Sequence, residues 1–419
     1  MKKLVVVLGG AALCAAVARA GVEIDDRLPA GNIVVEKVEG DVVRLHQDLR
    51  GSTQAWFYWK FRVRGAAGRT LKFRFTTSWT VGSRGPAVST DRGKSWTWGD
   101  DLQPSPKREP QTNDHGDWKA FDWTFGPKDD EVWFSQAIPY DAADWRAFLD
   151  RHAADRGRLF EEGTLCKSRK GRDVEYARFG RLDGKAKYRI FAASRHHCQE
   201  ISATYVLEGM LEQVFAADDL GRWLRENVEI RVVPFADKDG AVDGDQGKYR
   251  APHDHARDYS DERPPIHPEV RAIMKMLREW NPTIVNDYHS PWLRGNWFKK
   301  DDANEYVYQV GFADPACWAR QQAFGKAVER VQTSGMGYRQ ADDFAPGQGW
   351  NKPSNYSQGK TMTQWAMGVF TNAALVSSWE IPFANSRFKT LYPKDWRAFG
   401  RDVAAGYREH LEPAKGNRE

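Results

Sequence analysis

The sequence predicts a mixed α/β sheet with flanking helices, preceded by an all-β sandwich. Three observations carry this. Up to about residue 140 the apolar residues fall in short strand-like runs, and after it strand-like and helix-like segments alternate. The length, 419 residues, also exceeds what a single core usually takes. In the first part, residues 33–35, 56–63, 70–77 and 132–135 read as strands. Turn-rich stretches such as Arg64-Gly65-Ala66-Ala67-Gly68 and Asp91-Arg92-Gly93-Lys94 separate them, as a sandwich requires. Lys60-Phe61-Arg62-Val63-Arg64 alternates polar and apolar, so one face is expected to be wet. Residues 99–117, rich in Pro, Asp, Gln and Asn, read as a long loop.

In the second part a helix at 142–153 leads into a strand at 188–193, a helix at 201–216, a strand at 228–235, a helix at 267–280 and a strand at 283–289. One more apolar strand follows at 373–383, and an amphipathic helix at 396–411 closes the chain. Residues 174–179 and 187–192, joined across Leu182-Asp183-Gly184-Lys185, read as a hairpin, which makes the sheet mixed. The expected division is a leader at 1–20, a β-sandwich at 21–140, an α/β domain at 141–412 and a tail at 413–419.

Lys2 and Lys3, the apolar run that follows and the small-x-small exit Ala18-Arg19-Ala20 make residues 1–20 a cleavable signal peptide, so the expected location is secreted or periplasmic. No other stretch has the apolar length of a membrane helix. Without the leader the net charge is about +2, which gives no case for nucleic acid as a partner. Cys166, Cys198 and Cys317 remain, an odd set that allows at most one disulfide within the chain. Eighteen tryptophans suit either a sugar-binding face or the packed core of the β part.

The chemistry concentrates in Arg195-His196-His197-Cys198-Gln199-Glu200, at the end of a strand, where open α/β sheets place their ligands. His197 and Glu200 converge on one ion across that bend, and imidazole with carboxylate suits zinc in a hydrolytic site. The pair H-x-x-E alone is weak, because ten histidines produce about one by chance. His289 ends the later strand, with Asp287 two residues earlier on the same side, where a carboxylate orients a ligand imidazole.

In order along the chain, H-x-x-E, Asp239-Gly240, an Arg-containing loop, D-x-H and a late Glu resemble the zinc carboxypeptidase family, particularly its cytosolic-carboxypeptidase-like branch. That branch also carries a β-sandwich with an entry like Tyr58-Trp59-Lys60-Phe61-Arg62-Val63. The resemblance implies one zinc ion per chain, held by His197, Glu200 and His289, and a peptide as substrate. It implies Glu380, in Ser377-Ser378-Trp379-Glu380-Ile381-Pro382, as the general base. It implies Arg250 as the oxyanion-stabilising arginine, Arg257 as the arginine that pairs with the substrate's terminal carboxylate, and Tyr356 as a covering loop tyrosine.

One departure matters: Ala256 stands where the family has Asn before the second arginine. It speaks for a second expectation, a zinc-dependent amidohydrolase acting on another amide. A third is a non-catalytic extracellular binding module that uses the tryptophans. His253 and His255 are further metal candidates by spacing, for which a solvated polar loop is the preferred reading.

Overall fold

Alternating apolar side chains close two sheets on each other at the start of the computed structural model, which describes residues 21–77, 80–103, 118–293, 305–387 and 389–413. The expected leader, residues 104–117 of the expected loop, and residues 414–419 of the expected tail lie outside the described residues. The strands are β1 (Glu23–Asp25), β2 (Val34–Glu39), β3 (Val42–His46), β4 (Lys60–Arg64), β5 (Thr70–Phe75), β6 (Ala87–Ser89), β7 (Thr97–Trp98), β8 (Ala120–Thr124) and β9 (Glu131–Ser135), with the short helix α1 (Gly99–Leu102) after β7. One sheet runs β1-β4-β9-β6-β7 and the other β2-β3-β5-β8.

Between the two sheets Trp59, Phe61, Phe73, Phe121 and Phe134 pack as one aromatic core, with Phe73 and Phe121 stacked at 4.8 Å. Trp59 and Trp98 are fully buried, and Trp118 and Trp123 nearly so, which identifies the tryptophans of this part with core packing. The wet face expected of β4 is only partly wet. Arg62 and Arg64 reach its edge, whereas Lys60 is buried and burial pulls its pKa down to about 8.

The second part contains β10 (Phe160–Lys167), β11 (Asp173–Gly180), β12 (Tyr188–Ser194), β13 (Val228–Val233), β14 (Ile284–His289), β15 (Tyr308–Gln309) and β16 (Leu375–Glu380). Around them lie α2 (Ala142–Arg151), α3 (Ser202–Glu212), α4 (Asp219–Asn227), α5 (Lys238–Asp243), α6 (Pro268–Trp280), α7 (Pro315–Val331), α8 (Met362–Val369) and α9 (Pro393–Leu411). The sheet order is β10-β11-β13-β12-β14-β16-β15, so the expected mixed sheet is present.

The hairpin read from the sequence is not. β13 lies between β11 and β12, antiparallel to the first and parallel to the second, and the true hairpin is β10 with β11. The short polar link at 182–185 suggests a direct turn. Instead β13 enters the gap, because its buried residues Val228, Ile230 and Val232 match the apolar β11 and β12 on both sides.

Local signals set the helix ends. Asp141 and Asp144 form a capping box at α2, Thr361 and Gln364 another at α8, and Pro268 opens α6 while left-handed Asn281 closes it. Helices α3 and α9 cross where Gly209 meets Gly400. A Cβ on Gly400 would lie 2.2 Å from the Val206 carbonyl oxygen, so only glycine permits this approach. Gly400→Ala is therefore expected to destabilise the protein by roughly 1–3 kcal/mol, read as a lower urea midpoint at unchanged slope.

Candidate metal centre and active site

Three parallel strands, β12, β14 and β16, end together at one edge of the sheet, and their register pairs Ser194 with Tyr288 and His289 with Glu380. Just past β12, Arg195 turns the chain with φ +65° and holds that turn by donating to the Tyr140 carbonyl at 3.0 Å and to the Cys198 carbonyl. The turn points His197 and Glu200 at the tip of β14.

There Nδ1 of His197 lies 2.7 Å from one Glu200 oxygen and Nδ1 of His289 lies 2.7 Å from the other. All three side chains are at least nine-tenths buried. Burial raises the Glu200 pKa, but the His197 and His289 imidazoles outweigh it and hold the carboxylate down at about 2.

Behind the three, Asp287 bridges His289 Nε2 at 3.0 Å and His196 Nδ1 at 2.8 Å, and His196 in turn meets the Tyr259 hydroxyl at 2.7 Å. Burial raises the Asp287 pKa, yet the two imidazoles depress it far below the usual carboxylate range. Asp254 stands 3.7 Å behind His197 Nε2, which has no hydrogen-bond partner.

The donor atoms of His197, Glu200 and His289 fall within 4.8 Å of one another. Two imidazoles and a carboxylate, with one side open to a cavity, are the ligand set of zinc in a hydrolytic site. Asp287 occupies the place from which a carboxylate orients a ligand histidine. The residues thus fit the ion.

The cavity in front of them has a volume of about 250 Å³. Glu380 lies on its wall beside His289, 8% exposed and with one carboxylate oxygen unpaired. Burial, and then repulsion from Glu200, push its pKa up to about 8. Arg257 lines the cavity as well. It is held by a 3₁₀ turn (His255–Arg257) that Asp254 caps at the Ala256 N–H, and its guanidinium packs 5.2 Å from the Tyr356 ring. Among the described residues no carboxylate forms a salt bridge with it. Tyr356 sits in the turn Pro353–Tyr356 and donates to Asn351 Oδ1 at 2.7 Å.

Arg250 is the one sequence-predicted site residue that the structure does not bring to the cavity. Its guanidinium is turned to the other side of the loop, 2.6 Å from Asp237 and 2.9 Å from Asp245. Buried carboxylates attract it more strongly than an exposed cleft.

The adjacent Lys248 faces the cavity instead, its ammonium 4.4 Å over the Trp56 ring. Burial, and then Arg257, pull its pKa below the usual lysine value. Lys248, Asp254 and Trp56 were not singled out from the sequence; the position of Lys248, two residues before Arg250 in the same basic loop, was the available signal. Trp56 comes from the β-sandwich part. Gln246 Nε2 donates to the Tyr58 carbonyl at 2.9 Å, while Gln246 Oε1 accepts from the Trp56 and Tyr58 N–H groups. The solvated-loop reading fails for His255, which is 1% exposed. His253 lies outside the centre, bound to the Arg257 carbonyl at 3.0 Å. Cys166, Cys198 and Cys317 are free thiols.

The fold is that of bacterial metallo-carboxypeptidases, as the sequence resemblance implied. No family model matches the chain. It is similar to cytosolic carboxypeptidase 1 of Gallus gallus, 22% identical over 197 residues, which are 43% of this chain and 16% of that protein. It is also similar to cytosolic carboxypeptidase 6 of Caenorhabditis elegans, 23% identical over 289 residues, 64% of this chain and 62% of that one. The chain thus spans less than two thirds of the length of either relative. A metallo-carboxypeptidase from Burkholderia cenocepacia superposes with a TM-score of 0.72 at 20% identity, covering 94% of this chain and 99% of that one.

Asp287→Asn removes the charge that both His196 and His289 share. It is expected to weaken the binding of an added divalent metal by about 10–100-fold, measured by competition against a chromophoric chelator.

Proposed function

We propose that the chain is a zinc metallocarboxypeptidase that removes residues from peptides with a free C-terminus. The observation that carries this is the joining, in one cavity, of the His197–Glu200–His289 ligand set, a Glu380 carboxylate with one oxygen unpaired and an Arg257 guanidinium that forms no salt bridge among the described residues. His197, Glu200 and His289 would hold zinc, which would supply there a Lewis acid to polarise a peptide carbonyl and acidify water.

Glu380 stands on the neighbouring strand end, where its carboxylate takes the proton of the attacking water and returns it to the leaving amine. Its raised pKa suits a group that must both accept and donate. Arg257 offers two parallel N–H donors to the terminal carboxylate of the peptide, and Tyr356 lies against its face. Asn355 and Gln364 line the same wall, near the place of the orienting contact that Ala256 does not make. Lys248 takes the part that the resemblance gave to Arg250: a cation aimed at the cavity, where negative charge develops on the carbonyl oxygen.

The relatives named above are called cytosolic, whereas residues 1–20 carry a leader pattern. We read this chain as exported, in which case the protein purified from its host begins at Gly21 by mass spectrometry.

Glu380→Gln is expected to lower kcat by about 10²–10⁴-fold with the zinc content unchanged. Arg257→Met should lower kcat/KM by about 10–100-fold, the equivalent of about 1.5–3 kcal/mol for a charge-assisted pair. That loss should fall on peptides with free C-termini and be absent for amidated ones. Hydrolysis of both kinds of peptide at equal rates by the wild type would refute the exopeptidase assignment and leave a zinc amidohydrolase.

A further inference from the structure

Behind the turn that carries Arg257 lies a second group of potential ligands, formed by His255, His267 and Glu269. Their donor atoms lie within 4.8 Å of one another, and the side chains are 1%, 4% and 2% exposed. His255 is the telling member. Both of its ring nitrogens are buried without a hydrogen-bond partner, and so is one oxygen of Glu269. Each such orphan costs about 1–3 kcal/mol when nothing meets it. Of these, His255 Nε2 and the Glu269 oxygen face each other across one gap, which packing does not explain.

His255 Nε2 stands 3.8 Å from Glu269 Oε2, too far for a hydrogen bond and close to the separation of two atoms ligating one ion. The His255 and His267 rings lie 4.5 Å apart, and the His267 Nε2 position is taken by the His253 carbonyl at 3.0 Å. That contact leaves Nδ1 of His267 as its ligand atom, in the manner of a histidine oriented by a backbone carbonyl.

We propose that His255, His267 and Glu269 form a second site for a zinc-class divalent cation, distinct from the His197–Glu200–His289 centre. Two imidazoles and a carboxylate are borderline ligands of the kind zinc takes. Asp237 favours positive charge on both imidazoles, and at His255 the Arg250 guanidinium opposes it. A neighbouring cavity of about 550 Å³, lined by Asp237, Arg250, His267 and Glu269, reaches two of the three ligands from outside. The competing arrangement is a protonated His255 paired with Glu269, a direction its raised pKa allows. It leaves the 3.8 Å gap unbridged.

The two centres are separated by the His196 ring, whose centroid is 5.7 Å from that of His255 and 6.1 Å from that of His289. His255 belongs to the turn that holds Arg257, directly after Asp254, so an ion at this site pins both residues.

The test is zinc per chain on the full-length protein, stripped with a chelator, reloaded with excess Zn²⁺ and freed of loose metal. It is run on the wild type, on His197→Ala/His289→Ala and on His255→Phe, with circular dichroism confirming the fold. The expected contents are two, one and one. One zinc in the wild type with none in His197→Ala/His289→Ala overturns the proposal, as does an unchanged two in His255→Phe. If the first centre is not a metal site at all, the wild type and His197→Ala/His289→Ala hold the same single ion, and His255→Phe loses it. Should His255→Phe not fold, Co²⁺ titration of His197→Ala/His289→Ala decides: visible absorption saturating at one equivalent supports the site, and no absorption removes it.

Discussion

The register of three parallel strands governs this molecule's chemistry. β12, β14 and β16 have no freedom to slip, because each is buried on both faces and a shift of one residue would exchange the two faces of every side chain. Their pairing brings the end of β14 level with the end of β16, so His289 and Glu380 are neighbours by backbone hydrogen bonding before any side-chain preference acts. The left-handed turn at Arg195 then needs to do only one thing, which is to swing His197 and Glu200 over that edge.

A price in electrostatics follows from that arrangement. Glu200, Asp287, His196, His197 and His289 are all removed from water, and an isolated charge in such a place costs several kcal/mol. Nature offsets this by connecting them: Tyr259, His196, Asp287, His289, Glu200 and His197 form one continuous chain of contacts from 2.7 to 3.0 Å. Such a chain is rigid, since moving any member strands its neighbour. Glu380 is the exception on the same wall, with an oxygen left unpaired, and an unsatisfied acid at a sheet edge is poised for proton traffic.

Much of this could be read from the chain. The strand-end motif at 195–200, the D-x-H of Asp287 and His289, and the late Glu380 lie in regular elements, where periodicity and alternation dictate direction. The loop between them could not be read in the same way. Which of Lys248 and Arg250 faces the cavity depends on Asp237 and Asp245, whose proximity comes from the tertiary fold, and no spacing rule places them. The burial of His255 is likewise a consequence of α6 packing over the turn. Helices α7 and α8 carry start signals in Asp314-Pro315 and Thr361-x-x-Gln364 but a weak periodicity, because α7 buries Gln321, Gly325 and Ala327 where a clear apolar stripe would have large side chains. The misread hairpin shows a further limit: adjacency in sequence is a poor guide when another strand has the right faces to intervene.

The contact of Gln246 with the backbone at residues 56–58 reaches beyond anchoring. A boundary near residue 140 divides the chain by architecture, yet Trp56, on the amino-terminal side of it, forms part of the wall against which Lys248 rests. The two halves are therefore not interchangeable parts. Grafting the carboxy-terminal part onto a different partner would deliver the metal ligands intact but leave Lys248 only the more distant Tyr249 ring, so the pair must be inherited, and engineered, as a unit.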